Sequence, residues 1–235
     1  MALRDTAPVL VGSDISTERV AAFLRAAYGW MCIGLTITAL TASFIAASPA
    51  LVIGIARNPV LFWGLFIAQL GIVVLLSARV NKLAASTAAM LFVAYSALTG
   101  VTISFVLLVY TGESVATTFL ITAGMFGALA AYGTLTRRNL QAFGQFFFMG
   151  LIGVVIASLV GMFWQSNALQ FVISFVGVIV FAGLTAYDAQ RLEAMALTTP
   201  AGQTGSYAIV GALALYLDFI NLFLFLLRFL GGRRD

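Results

Sequence analysis

The sequence contains no histidine, one cysteine and one lysine, and only 9% of its 235 residues are charged. Without histidine, Ser-His and Cys-His nucleophilic sites and histidine metal sites are excluded. The lysine, Lys82, lies in a predicted loop, which excludes a Schiff base inside a helical bundle, and no phosphate-binding glycine-rich loop carries a lysine. Cys32 has no partner for an intramolecular disulfide and is interpreted as a small buried apolar residue.

The scarcity of charge also excludes an ordinary soluble domain. Hydrophobic residues make up 62% of the chain, whereas soluble domains are roughly 45–50% apolar and about 25% charged. A net charge of +4 can indicate nucleic-acid binding in a soluble protein. Here the basic residues lie in short segments between apolar runs, which is typical of membrane topology. The composition predicts an integral protein of the lipid bilayer with no nucleic-acid partner.

Seven apolar stretches are long enough to cross a bilayer as helices, which takes about 20 residues each. Charged residues, Ser48-Pro49 and the polar break 165–167 separate them. The predicted spans are residues 26–47, 58–78, 83–112, 114–136, 146–164, 169–187 and 206–230. They do not alternate polar and apolar residues, which makes the strands of a β-barrel a poor alternative. We predict an all-α bundle of seven transmembrane helices over residues 26–230, with a cytoplasmic segment 1–25 and a short basic tail 231–235.

Two local patterns add detail to the spans. Ser16 is a predicted N-cap, followed by Val20, Phe23, Leu24 and Ala27 at i, i+3, i+4, i+7 spacing, which predicts a short amphipathic helix on the membrane surface. Arginines and acids precede the first apolar run, so no removable signal peptide is predicted. Small residues repeat at 153, 157 and 161 and at 124, 127 and 131, which predicts close helix contacts there.

The distribution of basic residues predicts a cytoplasmic N-terminus, because lysine and arginine accumulate in cytoplasmic loops. With this orientation only Arg57 lies in an outer loop. The inner segments hold Arg4, Arg19, Arg25, Arg79, Lys82, Arg137, Arg138 and Arg191. Arg233 and Arg234 would lie outside, so either C-terminal charges have little influence or the last segment re-enters; we favour seven crossings. The short connections and the lack of a retention signal favour a bacterial inner membrane.

Only two acids lie in or at the end of a span, Asp188 at the end of the sixth and Asp218 inside the seventh. An ionised group at mid-membrane costs roughly 2.5–3.5 kcal/mol on insertion scales, so such residues face the bundle interior and have partners. Contact between the two is predicted, with Arg79 as candidate counter-charge. Arg228 is predicted to lie on another face and to reach for the far interface. Other readings stay open: Asp188 caps a helix, Asp218 is structural, and Arg79 only sets topology.

The two stretches that carry these acids resemble the Bax inhibitor-1 family, in its bacterial YccA/YetJ-like branch. They are Gly183–Arg191 (GLTAYDAQR) and Ala214–Arg228 (ALYLDFINLFLFLLR). Phe62–Gly71 and Tyr28–Met31 fit as well, and the likeness covers nearly the whole chain. The resemblance implies seven helices with the last surrounded by the other six. It also implies a pH-sensitive calcium leak gated by two aspartates that share a proton, matching Asp188 and Asp218, with Arg79 as the nearest match to a switching arginine. Relatives often carry a glutamate where this chain has Gln69.

Other functions stay open at this stage. Relatives are associated with membrane-bound proteases and with stress or cell death, which would make the chain an interaction protein with a membrane protease as candidate partner. Proton-coupled ion exchange is a third reading. Catalysis by the two carboxylates alone is also open, but neither lies in the Gly-Asp motif of intramembrane aspartyl proteases. We therefore predict no enzymatic activity, no cofactor, no permanent metal site and only transient calcium binding.

Overall fold

The computed structural model describes residues 8–164, 166–200 and 202–234, with side chains from Thr17 onward. This part of the chain forms eight α-helices and a 3-10 turn at Val80–Lys82. In order, the helices are α1 (Pro8–Ala46), α2 (Pro49–Arg57), α3 (Pro59–Ala78), α4 (Ala85–Val109), α5 (Gly112–Leu135), α6 (Gln141–Phe163), α7 (Asn167–Thr198) and α8 (Thr204–Leu230). All except α2 are long and apolar enough to cross a membrane. The prediction of an all-α protein with seven spans is confirmed.

Polar residues and prolines set the helix ends. The Asn58 side chain accepts hydrogen bonds from the backbone N–H groups of Val60 and Leu61, at 3.1 and 3.2 Å, and Pro59 occupies the first turn of α3. The Ser166 hydroxyl accepts one from the backbone N–H of Leu169, which caps α7. Such groups satisfy the free N–H donors of a first turn. The predicted break between the fifth and sixth spans is therefore confirmed.

The sixth span differs from its predicted length. The prediction ended it at Tyr187, where charged residues begin, but α7 continues to Thr198. Charged residues end an apolar run without ending a helix, and no glycine or proline lies between Tyr187 and Pro200. Asp188 therefore lies inside a helix and not at its end.

The N-terminal region also differs from the prediction. Instead of a separate surface helix, α1 runs without interruption from Pro8 to Ala46. Ser16 lies within it and cannot be its N-cap, and the Ser16 side chain is outside the described residues. Phe23 and Ala27 are buried in the protein core. The amphipathic spacing therefore marks a helix face that packs against other helices and not against the membrane surface. The helix is continuous because no residue between Ser16 and the first span breaks it.

The last helix crosses the whole bundle. Beyond α8 the backbone pairs with the junction of α4 and α5 at the opposite end: Arg233 forms a bridge with Tyr110, and the N–H of Arg234 donates to the carbonyl of Val109 at 2.9 Å. A re-entrant segment is therefore excluded. Most of α8 is buried against α1, α4, α5 and α7. Because α6 packs mainly against α7, enclosure of α8 by all six other spans is not confirmed.

The glycines in close helix contacts are mostly not the predicted ones. A Cβ at Gly124, Gly127 or Gly153 would meet nothing within 4 Å. Among the predicted glycines, only Gly161 faces a neighbour, with the Gln170 amide nitrogen 3.3 Å from a Cβ placed there. Small-residue repeats occur on lipid-facing surfaces too, so spacing alone does not locate an interface. The tight contacts lie where Gly133 meets the backbone of Ala186, Gly144 meets the ring of Tyr187 and Gly183 meets the ring of Phe147.

Candidate functional site

The structure brings the two membrane acids together. Asp188 on α7 and Asp218 on α8 are neighbouring side chains that line the same cavity. Asp218 is only 4% exposed, and its Oδ2 has no hydrogen-bond partner in the described part of the chain. The Asp188 side chain is 14% exposed. Two carboxyl groups thus face each other largely out of contact with solvent.

The positive charge beside this pair comes from Arg191. Its Nη1 lies 3.6 Å from Asp188 Oδ1, in the one ion pair found among the described residues. Residues three apart on a helix are surface neighbours, so the Asp-Ala-Gln-Arg spacing already contained this signal, although the sequence reading missed it. Arg79 is exposed at the C-terminal end of α3, where its backbone N–H donates to the Leu75 carbonyl. Its participation in switching stays a prediction.

Contacts on both sides of Asp188 fix the position of α7. Gly133 of α5 lies against the Ala186 backbone, and Gly144 of α6 lies against the Tyr187 ring. The Gln190 side chain accepts a hydrogen bond from the Leu140 N–H and donates one to the Arg138 carbonyl, both at 2.9 Å. These contacts tie α7 to α5, to α6 and to the loop between them. The Asp188 carboxyl is therefore held by backbone packing as well as by its ion pair.

The aspartate pair opens into a cavity of 870 Å³ between α6, α7 and α8, which we call the aspartate cavity. Ser77 of α3 and Gln145 of α6 contribute polar groups to its wall. Gln69, earlier in α3, instead donates a hydrogen bond to the Thr102 hydroxyl at 2.8 Å, which joins α3 to α4. Gln69 therefore contributes a contact between helices and does not line the aspartate cavity.

Two more cavities continue from the aspartate cavity. A middle cavity of 450 Å³ shares Leu151, Phe181 and Asn221 with it, and an outer cavity of 690 Å³ shares Gln170 and Arg228 with the middle one. The three cavities adjoin one another in a row along α6 and α8, from the aspartates to the end of the bundle where α8 stops, and we call this row the crevice. Asp218 lines only the aspartate cavity and Arg228 only the other two, so their position on different faces of α8 stays a prediction.

The crevice has few groups that could bind a cation. No cluster of three or more His, Cys, Asp or Glu side chains occurs in the described part of the chain. Calcium is ordinarily bound by 6–8 oxygen ligands. Two carboxyl groups with the neighbouring amides and hydroxyls can hold such an ion only weakly and briefly.

Comparison with known proteins gives the family. Residues 20–235 match the family model described as Inhibitor of apoptosis-promoting Bax1. The chain belongs to the Bax inhibitor-1 family. Among its relatives is inner membrane protein YbhL of Escherichia coli, 50% identical over 215 residues, which cover 90% of this chain and 92% of that protein.

Two further relatives show how widely this Bax inhibitor-1 sequence is shared among bacteria. A protein of Borreliella burgdorferi is 45% identical over 215 residues, or 91% of this chain and 93% of that one. A protein of Deinococcus radiodurans is 43% identical over 221 residues, or 93% of each chain. The family resemblance is therefore confirmed, and the chain is an integral membrane protein.

Proposed function

We propose that this Bax inhibitor-1 protein is a pH-sensitive calcium leak channel gated by the proton that Asp188 and Asp218 share. The observation that carries the proposal is that buried Asp218 and the largely covered Asp188 are neighbours lining one cavity. Like the E. coli relative whose name says so, the protein would lie in an inner membrane, with its N-terminus in the cytoplasm.

The gate follows from the chemistry of two neighbouring carboxyl groups. An ionised carboxylate only accepts hydrogen bonds, so a bond between two carboxyl groups requires a proton on one of them. That proton joins α7 to α8. Its loss leaves two like charges in a low-dielectric environment, which repel each other. We therefore expect deprotonation to loosen the contact between α7 and α8, with the two groups titrating as one unit.

Ion passage would use the same carboxylates once they are ionised. Hard oxygen ligands suit calcium, and a site with only two carboxylates releases the ion readily. Weak binding is what a leak requires, because an ion held tightly does not leave. The crevice along α6 and α8 would provide the remaining path.

The first prediction concerns the purified protein alone. Proteoliposomes that contain only this chain and an enclosed calcium indicator should admit calcium faster as the pH rises, because the shared proton is lost. Protein-free liposomes are the control. Absence of flux, or flux with no dependence on pH, would refute the channel. If an imposed proton gradient instead builds a calcium gradient, the protein is an exchanger.

A second prediction separates the two candidate counter-charges. Arg191→Gln removes the cation beside Asp188, so ionisation of the pair becomes less favourable and the midpoint of the flux curve should move to higher pH. The shift should stay below about one pH unit, since exposed ion pairs contribute roughly 0.2–1 kcal/mol and one pH unit corresponds to about 1.4 kcal/mol. Arg79→Gln is the matched control. A larger shift for Arg79→Gln than for Arg191→Gln would assign the switching role to α3.

The alternative is a non-enzymatic regulator that binds a membrane protease or the machinery of stress and cell death. The family's own description, with its reference to inhibition of apoptosis, favours this reading. The proteoliposome experiment decides between the two, because a regulator without its partner would carry no calcium.

A further inference from the structure

The crevice carries opposite charges at its two ends. Asp188 and Asp218 line the aspartate cavity, whereas Arg228 and Arg233 line the outer cavity. Between them lies Asn221, which lines both the aspartate and middle cavities and donates a hydrogen bond to the Leu217 carbonyl at 2.8 Å. A cation that leaves the aspartates along this path meets the amide of Asn221 and then a positive charge.

Arg228 occupies the junction of the middle and outer cavities. It lines both. Its Nη1 lies 3.4 Å from the Gln170 side-chain oxygen, and its guanidinium lies 5.9 Å from the centre of the Phe225 ring. Neither partner carries a negative charge, and no carboxylate is ion-paired with Arg228 in the described part of the chain. Its charge is therefore not neutralised where the crevice reaches its outer part.

We propose that Arg228 is an electrostatic barrier that keeps the cation flux through this crevice low. The proposal rests on the proposed channel function and adds a selectivity residue at the end opposite the gate. An unpaired guanidinium repels a cation with an energy proportional to the cation's charge. A divalent ion is therefore held back more strongly than a monovalent one, and a neutral solute is not held back at all.

The flux of Arg228→Gln proteoliposomes tests the barrier. At a pH where the wild-type leak is open, we expect about a tenfold increase in calcium flux, the order given by screened Coulomb repulsion between unit and double charges about 10 Å apart. Sodium flux should rise by only about threefold, because the ion carries half the charge. Arg228→Lys, which keeps the charge, should behave like the wild type, as should Arg57→Gln at the end of α2.

The outcomes separate this proposal from the channel itself. A wild-type leak that responds to pH, combined with unchanged flux in Arg228→Gln, would reject the barrier and leave the channel standing. An equal increase for sodium and calcium would also reject it, since loosened packing does not distinguish ionic charge.

Chemical labelling gives a readout that does not require flux. Cys32 is exposed, not buried as predicted, and is first replaced by alanine. Asn221→Cys then places a thiol in the wall shared by the aspartate and middle cavities. We expect Arg228→Gln to speed its reaction with a cationic thiol reagent in lipid nanodiscs and to leave the rate with a neutral reagent unchanged. An unchanged rate with the cationic reagent would overturn the proposal, even if the protein carries no calcium.

Discussion

Asp218→Asn should abolish the pH dependence of the calcium leak and leave the protein in its low-flux state. Asparagine is nearly the same size as aspartate, and its amide can donate to the Asp188 carboxylate at any pH, as the shared proton does in the wild type. Asp188→Asn should act in the same way. The wild-type leak should change by at least about tenfold over the titration, since an ionised group in hydrocarbon costs roughly 2.5–3.5 kcal/mol and about 1.4 kcal/mol corresponds to tenfold.

Glu193→Gln is the matched control for these variants. Glu193 lies on α7 about one and a half turns beyond Asp188, and its replacement removes an acid outside the pair. Its flux curve should match that of the wild type. If Asp218→Asn kept the wild-type response to pH, the shared proton could not be the gate, whatever the protein transports.

Gly133→Ala should lower the free energy of unfolding of the protein, whereas Gly124→Ala should not. The added Cβ would overlap the carbonyl oxygen of Ala186 and lie 2.9 Å from its carbonyl carbon. Backbone atoms have no rotamer into which they can withdraw, so α5 and α7 must separate. Overpacking of this kind costs roughly 1–3 kcal/mol. A thermal unfolding midpoint measured in detergent should fall accordingly.

Gly124→Ala on the same helix provides the comparison. Its Cβ would meet nothing within 4 Å, and alanine favours a helix over glycine by roughly 0.8–1.0 kcal/mol. The midpoint should therefore stay the same or rise. Because Ala186 lies two residues before Asp188, Gly133→Ala should also shift the pH response of the leak. Equal stability of the two variants would show that the contact between α5 and α7 is not tight.

Sequence spacing gave reliable spans but less reliable details. Asn58 and Ser166 cap the beginnings of α3 and α7 near the predicted span boundaries, because capping depends on neighbours in the chain. The length of α7 was underestimated, since the charged residues after Tyr187 were taken as the end of a helix when they only end its apolar part.

The sequence identified the apolar face formed by Val20, Phe23, Leu24 and Ala27, but not what packs against that face. An apolar stripe looks the same whether lipid or protein covers it.

Composition and the order of apolar and charged residues were enough to predict the membrane class, the seven helices and the two acids that stand out among apolar residues. These follow from composition and from the free energy of placing each residue in hydrocarbon, which is local information. Packing between distant helices was needed to learn that Asp188 adjoins Asp218 and that Arg228 lines the cavities beside theirs. Those facts depend on how helices far apart in the chain rotate and pack against one another, and helical periodicity leaves that rotation undetermined.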